Sequence, residues 1–218
     1  LSLSRYATDL LTRDPEALRL LADDAELQPR SRDVMIDGFA AAADRYTTDP
    51  AKAITAVRAS RRRELFRLAS ADILSRAGDL APAQPLDVHA IGIALSDVTD
   101  ATLSAAVRVA RRVRPGPEGL RFAVIGMGRL GGYEMSYPSD ADVLFVFDGA
   151  PDGEGAPAAH AIAEEMRRLL SAPAPDPALG VDADLRPEGR QGPLVRSLSA
   201  YQQYYARWSR VWESQALL

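Results

Sequence analysis

Two aspartates two residues apart, Asp140 and Asp142, stand where a glycine-rich turn gives way to an apolar stretch. Side chains alternate along a strand, so such a pair at a strand start projects to one side. Like charges held that way repel, and a bound divalent cation is the simplest thing to offset them. Just upstream, an apolar strand over 122–125 runs into Gly126, Gly128, Gly131 and Gly132. Glycine lacks a Cβ and tolerates positive φ, so this cluster lets backbone come close to a bulky anion. A phosphate cradle followed by paired hard-oxygen ligands is what Mg²⁺-assisted chemistry on a nucleoside triphosphate needs.

The same glycines formally satisfy a dinucleotide fingerprint, with Asp148 at the end of the next strand as a ribose-binding acid. A parallel crossover, however, needs a full helix between its strands. Pro138 stops any helix soon after Met135, and the second strand, 143–147, begins shortly afterwards. That reading also leaves Asp140 and Asp142 without work. A plainer alternative takes Ser139-Asp140 as turn chemistry and Asp142 as solvent-facing. The glycine cluster and both strands at this spacing favour the metal.

Further along, a third strand is expected over 181–185, with Asp182 and Asp184 on one face of it. The alternative is an edge strand with a solvated acidic face. Arg186 and Arg190 follow in a glycine-containing loop. Their guanidinium groups could neutralise charge on a transferring phosphoryl group or its leaving group, or could pair with the neighbouring acids, and the two roles are compatible.

The elements that must position these residues are helical first. From residue 3 to about 114 the apolar spacing is that of helices. Asp14-Pro15-Glu16 supplies a cap, a first-turn proline and an early acid for a helix with Leu18, Leu20 and Leu21 available for burial. Ser31 can cap a helix over 32–46, and Asp49-Pro50 opens another reaching about residue 74, with a bend at 60–63. Arg61, Arg62 and Arg63 are open to a phosphate- or partner-binding role, but such a run is more often a solvated helix face. Proline-rich 81–85 precedes a helical stretch over 86–113, and RPGPEG at 114–119 is a linker. After the second strand come a polar loop over 148–157 and a helix over 158–170 buried through Ile162, Met166, Leu169 and Leu170. The last helix, 199–218, carries Tyr201, Tyr204, Tyr205, Trp208 and Trp212, a stripe suited to packing on the sheet.

Composition narrows the chemistry. The 218 residues, 47% hydrophobic and 26% charged, are ordinary for a globular protein, and no apolar run is of membrane-spanning length. The start lacks a signal-like pattern, so the cytoplasm is expected. A net charge of −4 argues against a general nucleic-acid-binding surface. The absence of cysteine excludes disulfides, thiol catalysis and thiolate zinc, and His89 and His160 are too far apart to suggest an imidazole metal site. Oxygen-ligated metal remains.

The run GMGRLGGYEMSYPSDADVLFVFD resembles the signature of the glutamine synthetase adenylyltransferase / adenylyl-removing enzyme family, a branch of the polymerase-β-like nucleotidyltransferases. The later run VDADLRPEGRQGPLVRSLSAYQQYYARWSRVWESQALL and the upstream RRRELFRLASADIL resemble the same family. The resemblance implies an α+β fold: a helical subdomain over 1–115, then a nucleotidyltransferase mixed sheet flanked by helices over 116–218. Because the family's pattern continues past residue 218, an excised segment is expected.

It also implies transfer of AMP from ATP to a tyrosine hydroxyl of glutamine synthetase, releasing pyrophosphate, with two Mg²⁺ ions on Asp140, Asp142 and Asp182. Asp182 matches the third metal-site carboxylate, while Asp184 stands where the family commonly has arginine and is an alternative ligand. Gly126, Gly128, Gly131, Gly132 and Ser139 would receive the phosphates, helped by Arg129, Arg186 and Arg190. The motifs look more like the C-terminal, attaching half of an actinobacterial enzyme than its removing half, which would phosphorolyse adenylyl-tyrosine to ADP. Further alternatives are transfer to a small molecule such as an aminoglycoside and a non-catalytic module docking glutamine synthetase or a PII signalling protein. No nucleic-acid or membrane partner is expected.

Overall fold

The computed structural model describes residues 4–78, 84–149 and 153–208. Its first helix, α1 (Arg5–Arg13), starts at Ser4, whose hydroxyl accepts the Ala7 amide at 3.2 Å. A 3₁₀ helix (Pro15–Ala22) and the single turn α2 (Asp24–Leu27) lead to α3 (Arg32–Asp44). Two long helices follow, α4 (Pro50–Ser75) and α5 (Val88–Val113), capped by Asp49 on the Lys52 amide and by Asp87 on the Ala90 amide. Each such cap satisfies an orphan donor and stabilises by about 1 kcal/mol. The chain then runs β1 (Arg121–Gly126), the turn α6 (Gly128–Gly131), β2 (Ala141–Asp148), α7 (Gly155–Ser171), β3 (Val181–Asp182), β4 (Val195–Ser197) and α8 (Leu198–Arg207).

The sheet is mixed. β1 pairs antiparallel with β2, from Arg121↔Asp148 to Gly126↔Val143, which removes the parallel crossover that a dinucleotide fold requires. The short strands β3 and β4 both run parallel to β2, through Asp142↔Asp182 and Phe145↔Val195. Alternation along β2 then sorts its side chains. Val143 and Phe145 enter the main apolar cluster, which runs continuously from Leu10 in α1 to Val195 in β4 and so crosses residue 115 without a break. Leu144 faces the other way, into a small cluster with Met127 and Tyr201. Ile162, Met166 and Leu170 on α7 are fully buried, each contributing roughly 1.5–3 kcal/mol. The change at residue 115 is one of architecture, helices before and sheet after.

Several local expectations are corrected. The segment after Asp14 is 3₁₀, not α, so Leu18 and Leu21 eclipse on one outward face at 52% and 37% exposure, and Ala17 is buried in their place. α4 runs unbroken through 60–63. Its arginine run is not a solvated face either: Arg61 is buried, the Arg62 side chain is 13% exposed, and Arg63 reaches Asp14 at 3.1 Å. α5 is apolar and long enough to cross a membrane by length and composition, contrary to the sequence reading. Most of it is buried, however, against α3, α4 and α7, so the fold uses it as a core helix. In the last helix Tyr201 is buried, Trp208 is exposed and Trp212 lies outside the described residues.

Candidate active site

The site lies at the start of β2, on the face opposite the main core. The Met127 amide donates to the Asp142 carbonyl at 2.8 Å and closes the end of the β1–β2 ladder. Gly128 then takes φ +51°, a left-handed conformation that turns the chain into α6. Space matters there as well, because a Cβ on Gly128 would fall 3.0 Å from Asp142 Oδ2. The expected amide cradle is narrower than the glycine spacing implied. The Gly131 and Gly132 amides donate to the Met127 and Gly128 carbonyls at 3.0 and 2.9 Å, so they are spent on the turn itself. Among the amides of α6, those of the first turn from Gly128 have no acceptor within the helix.

The segment back to the sheet is a tight turn. Ser139 Oγ accepts the Ser136 amide at 3.2 Å and lies 2.7 Å from Ser136 Oγ, so its hydroxyl shapes the lead-in to Asp140. Arg129 reaches the same turn, 3.5 Å from Ser136 Oγ. The Ala141 amide donates to the Gly180 carbonyl at 2.8 Å, which locks the start of β2 to the start of β3.

That lock brings Asp182 level with Asp142, on the same face of neighbouring strands. Burial raises the Asp142 carboxyl above its ordinary value, Asp182 and Asp140 raise it further, and Arg129 pulls it back. Among the described residues no ion pair reaches Asp140, Asp142 or Asp182, whereas the buried acids Glu64, Glu165 and Asp176 and the neighbouring Asp184 each have an arginine partner. The donor set is therefore hard oxygen without a direct ion-pair partner, which fits Mg²⁺. As they stand, no three Asp, Glu or His side chains among the described residues are gathered to hold a metal ion. The two carboxylates at the start of β2 lean apart, Asp142 over Gly128 and Asp140, just before the strand, over Gly180.

Asp184 belongs elsewhere. β3 ends at Asp182, because Asp182 Oδ1 accepts the Asp184 amide at 2.7 Å and turns the chain out of the sheet. The expected five-residue strand with both acids on one face is thus cut short. Asp184 pairs with Arg190 and Arg186, and the hydrogen bond from Arg190 holds its carboxyl below the usual range. Arg186 is buried and donates to the Gly192 carbonyl at 3.1 Å and the Ala183 carbonyl at 2.8 Å, so its fork organises the loop and is not free for a phosphate. Arg190 remains exposed and borders an open cleft of about 430 Å³ with Asp140, Asp182 and Arg167. Arg167, from α7, was not singled out by the sequence.

Nor were Arg58, Asp72 and Tyr137, through which, with Arg61 and Arg62 of the arginine run, α4 holds both approaches to the site. Tyr137, between the glycine turn and Asp140, packs against Tyr6 of α1 with ring centroids 5.2 Å apart and planes tilted by 55°, and its hydroxyl donates to Asp72 of α4 at 3.4 Å. Burial, and then Asp72, push the Tyr137 phenol well above its usual value. On the other approach, Arg58 donates to the Ala172 and Asp176 carbonyls, Arg61 to Pro177, and Arg62 pairs with buried Asp176. Because β2 and β3 are parallel, both lead-in segments arrive from the same end, where one helix can hold them. The spacing 58, 61, 62 places three arginines on one helix face, a signal that was legible.

With this geometry in place, the whole chain, residues 1–218, matches the family of glutamate-ammonia ligase adenylyltransferases. It belongs to that family. Relatives from Streptomyces coelicolor, Cutibacterium acnes and Mycolicibacterium smegmatis are 50%, 48% and 44% identical over all of this chain. Each carries the name bifunctional glutamine synthetase adenylyltransferase/adenylyl-removing enzyme. This member of the adenylyltransferase family spans 21–23% of the length of those curated relatives.

Proposed function

We propose that this chain transfers AMP from ATP to a tyrosine hydroxyl of glutamine synthetase. The observation that carries the reading is the register pair Asp142↔Asp182 beside Gly128, which with Asp140 makes three carboxylates that form no ion pair among the described residues. Family membership supports the same reading, since the relatives are named for this reaction. Asp140, Asp142 and Asp182 would hold two Mg²⁺ ions, whose chemistry there is to lower the pKa of the attacking hydroxyl and neutralise phosphate charge. The first-turn amides from Gly128, with Arg129, bind the phosphates, and Ser139 keeps the Asp140 lead-in in shape. Arg190 leaves Asp184 to meet the pyrophosphate, a short move for an exposed side chain. The tyrosine oxygen forms a bond to the α-phosphorus, the α–β anhydride breaks, pyrophosphate leaves, and the hydroxyl proton goes to solvent. The resemblance further implies a PII signalling protein as regulator and the cytoplasm as compartment.

The relatives' name also covers the reverse task, and the same site could phosphorolyse adenylyl-tyrosine, phosphate oxygen attacking the α-phosphorus to give ADP. Mass spectrometry of glutamine synthetase with this chain, Mg²⁺ and ATP, beside adenylylated glutamine synthetase with phosphate, tests both. An AMP-sized gain on tyrosine, lost in Asp140→Asn/Asp142→Asn, is the expected result. ADP in the phosphate arm alone would reassign the chain to removal. Silence in both arms from a folded chain would refute catalysis by this segment and leave the docking-module alternative.

A further inference from the structure

Away from these residues, α3 and α4 flank a cleft of about 370 Å³. Its floor is apolar, with Met35, Phe39 and Ala42 buried. Its rim carries Arg30, Arg45, Arg62 and Arg63 against only two acids, Asp14 and Glu64. Both acids are already engaged. Asp14 accepts from Arg63 at 3.1 Å and lies 3.6 Å from Arg62; Glu64 accepts from buried Arg67 at 2.9 Å and lies 3.4 Å from Arg30. Arg62 also pairs with buried Asp176, so four cations meet three acids, one of which, Glu64, also serves Arg67, and a surplus of one positive charge remains, on Arg45, in a chain whose net charge is −4. Arg45 makes no ion pair among the described residues, and Arg62 Nε is buried without an acceptor. A desolvated donor without a partner is costly, and surplus guanidinium over an apolar floor calls for an anion with a carbon body. At Gly38 the cleft is open, since a Cβ there would meet nothing within 4 Å.

We propose that this cleft binds a small organic oxyanion, a multiply charged carboxylate or a phosphate ester. The arginine forks take its oxygens, and the floor of Met35 and Phe39 takes its carbon skeleton. Neither the glycine turn nor the aspartate cluster contributes to it, so it stands whether or not the transfer reaction does.

Citrate and glycerol 3-phosphate, titrated separately into the chain in EDTA and followed by amide and arginine Nε–H NMR, test it and separate the two chemistries. At least one of them should saturate below about 1 mM, shifting Gly38, Ala42 and Arg63. Gly38→Leu fills the cleft with a better helix former, so it folds, and it should weaken binding by at least about tenfold. Arg45→Ala, which breaks no ion pair, should also weaken binding. Asp140→Asn/Asp142→Asn should leave it unchanged. The proposal is overturned if neither compound saturates by about 10 mM, if Gly38→Leu binds like the parent, or if the aspartate variant abolishes binding.

Discussion

Replacing Asp182 with asparagine removes one charge from the carboxylate cluster without removing its hydrogen bond. The Asp184 amide donates to Asp182 Oδ1 at 2.7 Å, and an asparagine amide oxygen can accept it equally, so the end of β3 is preserved. The register places Asp182 beside Asp142 on adjacent strands, roughly 4.8 Å apart by strand spacing. Two unit charges at that range repel by about 1 kcal/mol in water and by several at an effective dielectric of about 20. Both residues are half-buried and Asp182 lines an open cleft, so the watery figure applies. Asp182→Asn should therefore stabilise the chain in EDTA at pH 7 by about 1 kcal/mol, a Tm rise of roughly 2–4 °C at this length. Mg²⁺ should reverse the order: at a hundredfold its Kd it adds about 2.7 kcal/mol to the parent and far less to the variant.

The pH dependence has a definite sign. Asp142 is raised by burial, then by Asp182 and Asp140, so the folded chain binds more protons than the unfolded one. Its contribution is full below the unfolded value of about 3.9 and is lost as pH rises through the folded value. Asp182→Asn should make that loss shallower. Urea titrations at several pH values, with EDTA and with Mg²⁺, read all three effects. A variant less stable than the parent in EDTA, with the same pH slope, would refute a shared field among the three carboxylates.

Asp184→Asn should keep the Mg²⁺-dependent gain that Asp182→Asn loses, because Asp184 serves Arg190 and Arg186; thermal melts with and without Mg²⁺ separate the two. Gly128→Ala forces a side chain to φ +51° and to 3.0 Å from Asp142 Oδ2, and should cost about 1–2 kcal/mol in urea and at least tenfold in transfer rate. Asp176→Ala leaves Arg62 without its buried partner beside the Arg58 and Arg61 contacts, and should destabilise by about 3 kcal/mol, measured by urea unfolding.

Much of this protein was local enough to read directly. Asp49-Pro50 starts α4 as read, because a cap acts within one turn. Adjacency in the chain put Asp142 beside the glycine turn, although Asp140 leans away over Gly180, and Pro138 ruled out a crossover helix before any pairing was known. The motifs sufficed for the family. What tertiary structure alone decided depends on partners distant in sequence. The Asp142↔Asp182 register set Asp182 beside Asp142, and an Asx turn ended the strand that alternation would have continued and left Asp184 to Arg190 and Arg186. Arg186 went to its own loop's carbonyls, and Arg58, Arg61 and Arg62 went inside, because residues 172–177 offered buried acceptors more than a hundred positions away. An arginine run has the same composition on a wet face as in a buried grip; only the acceptors that pack against it tell the two apart.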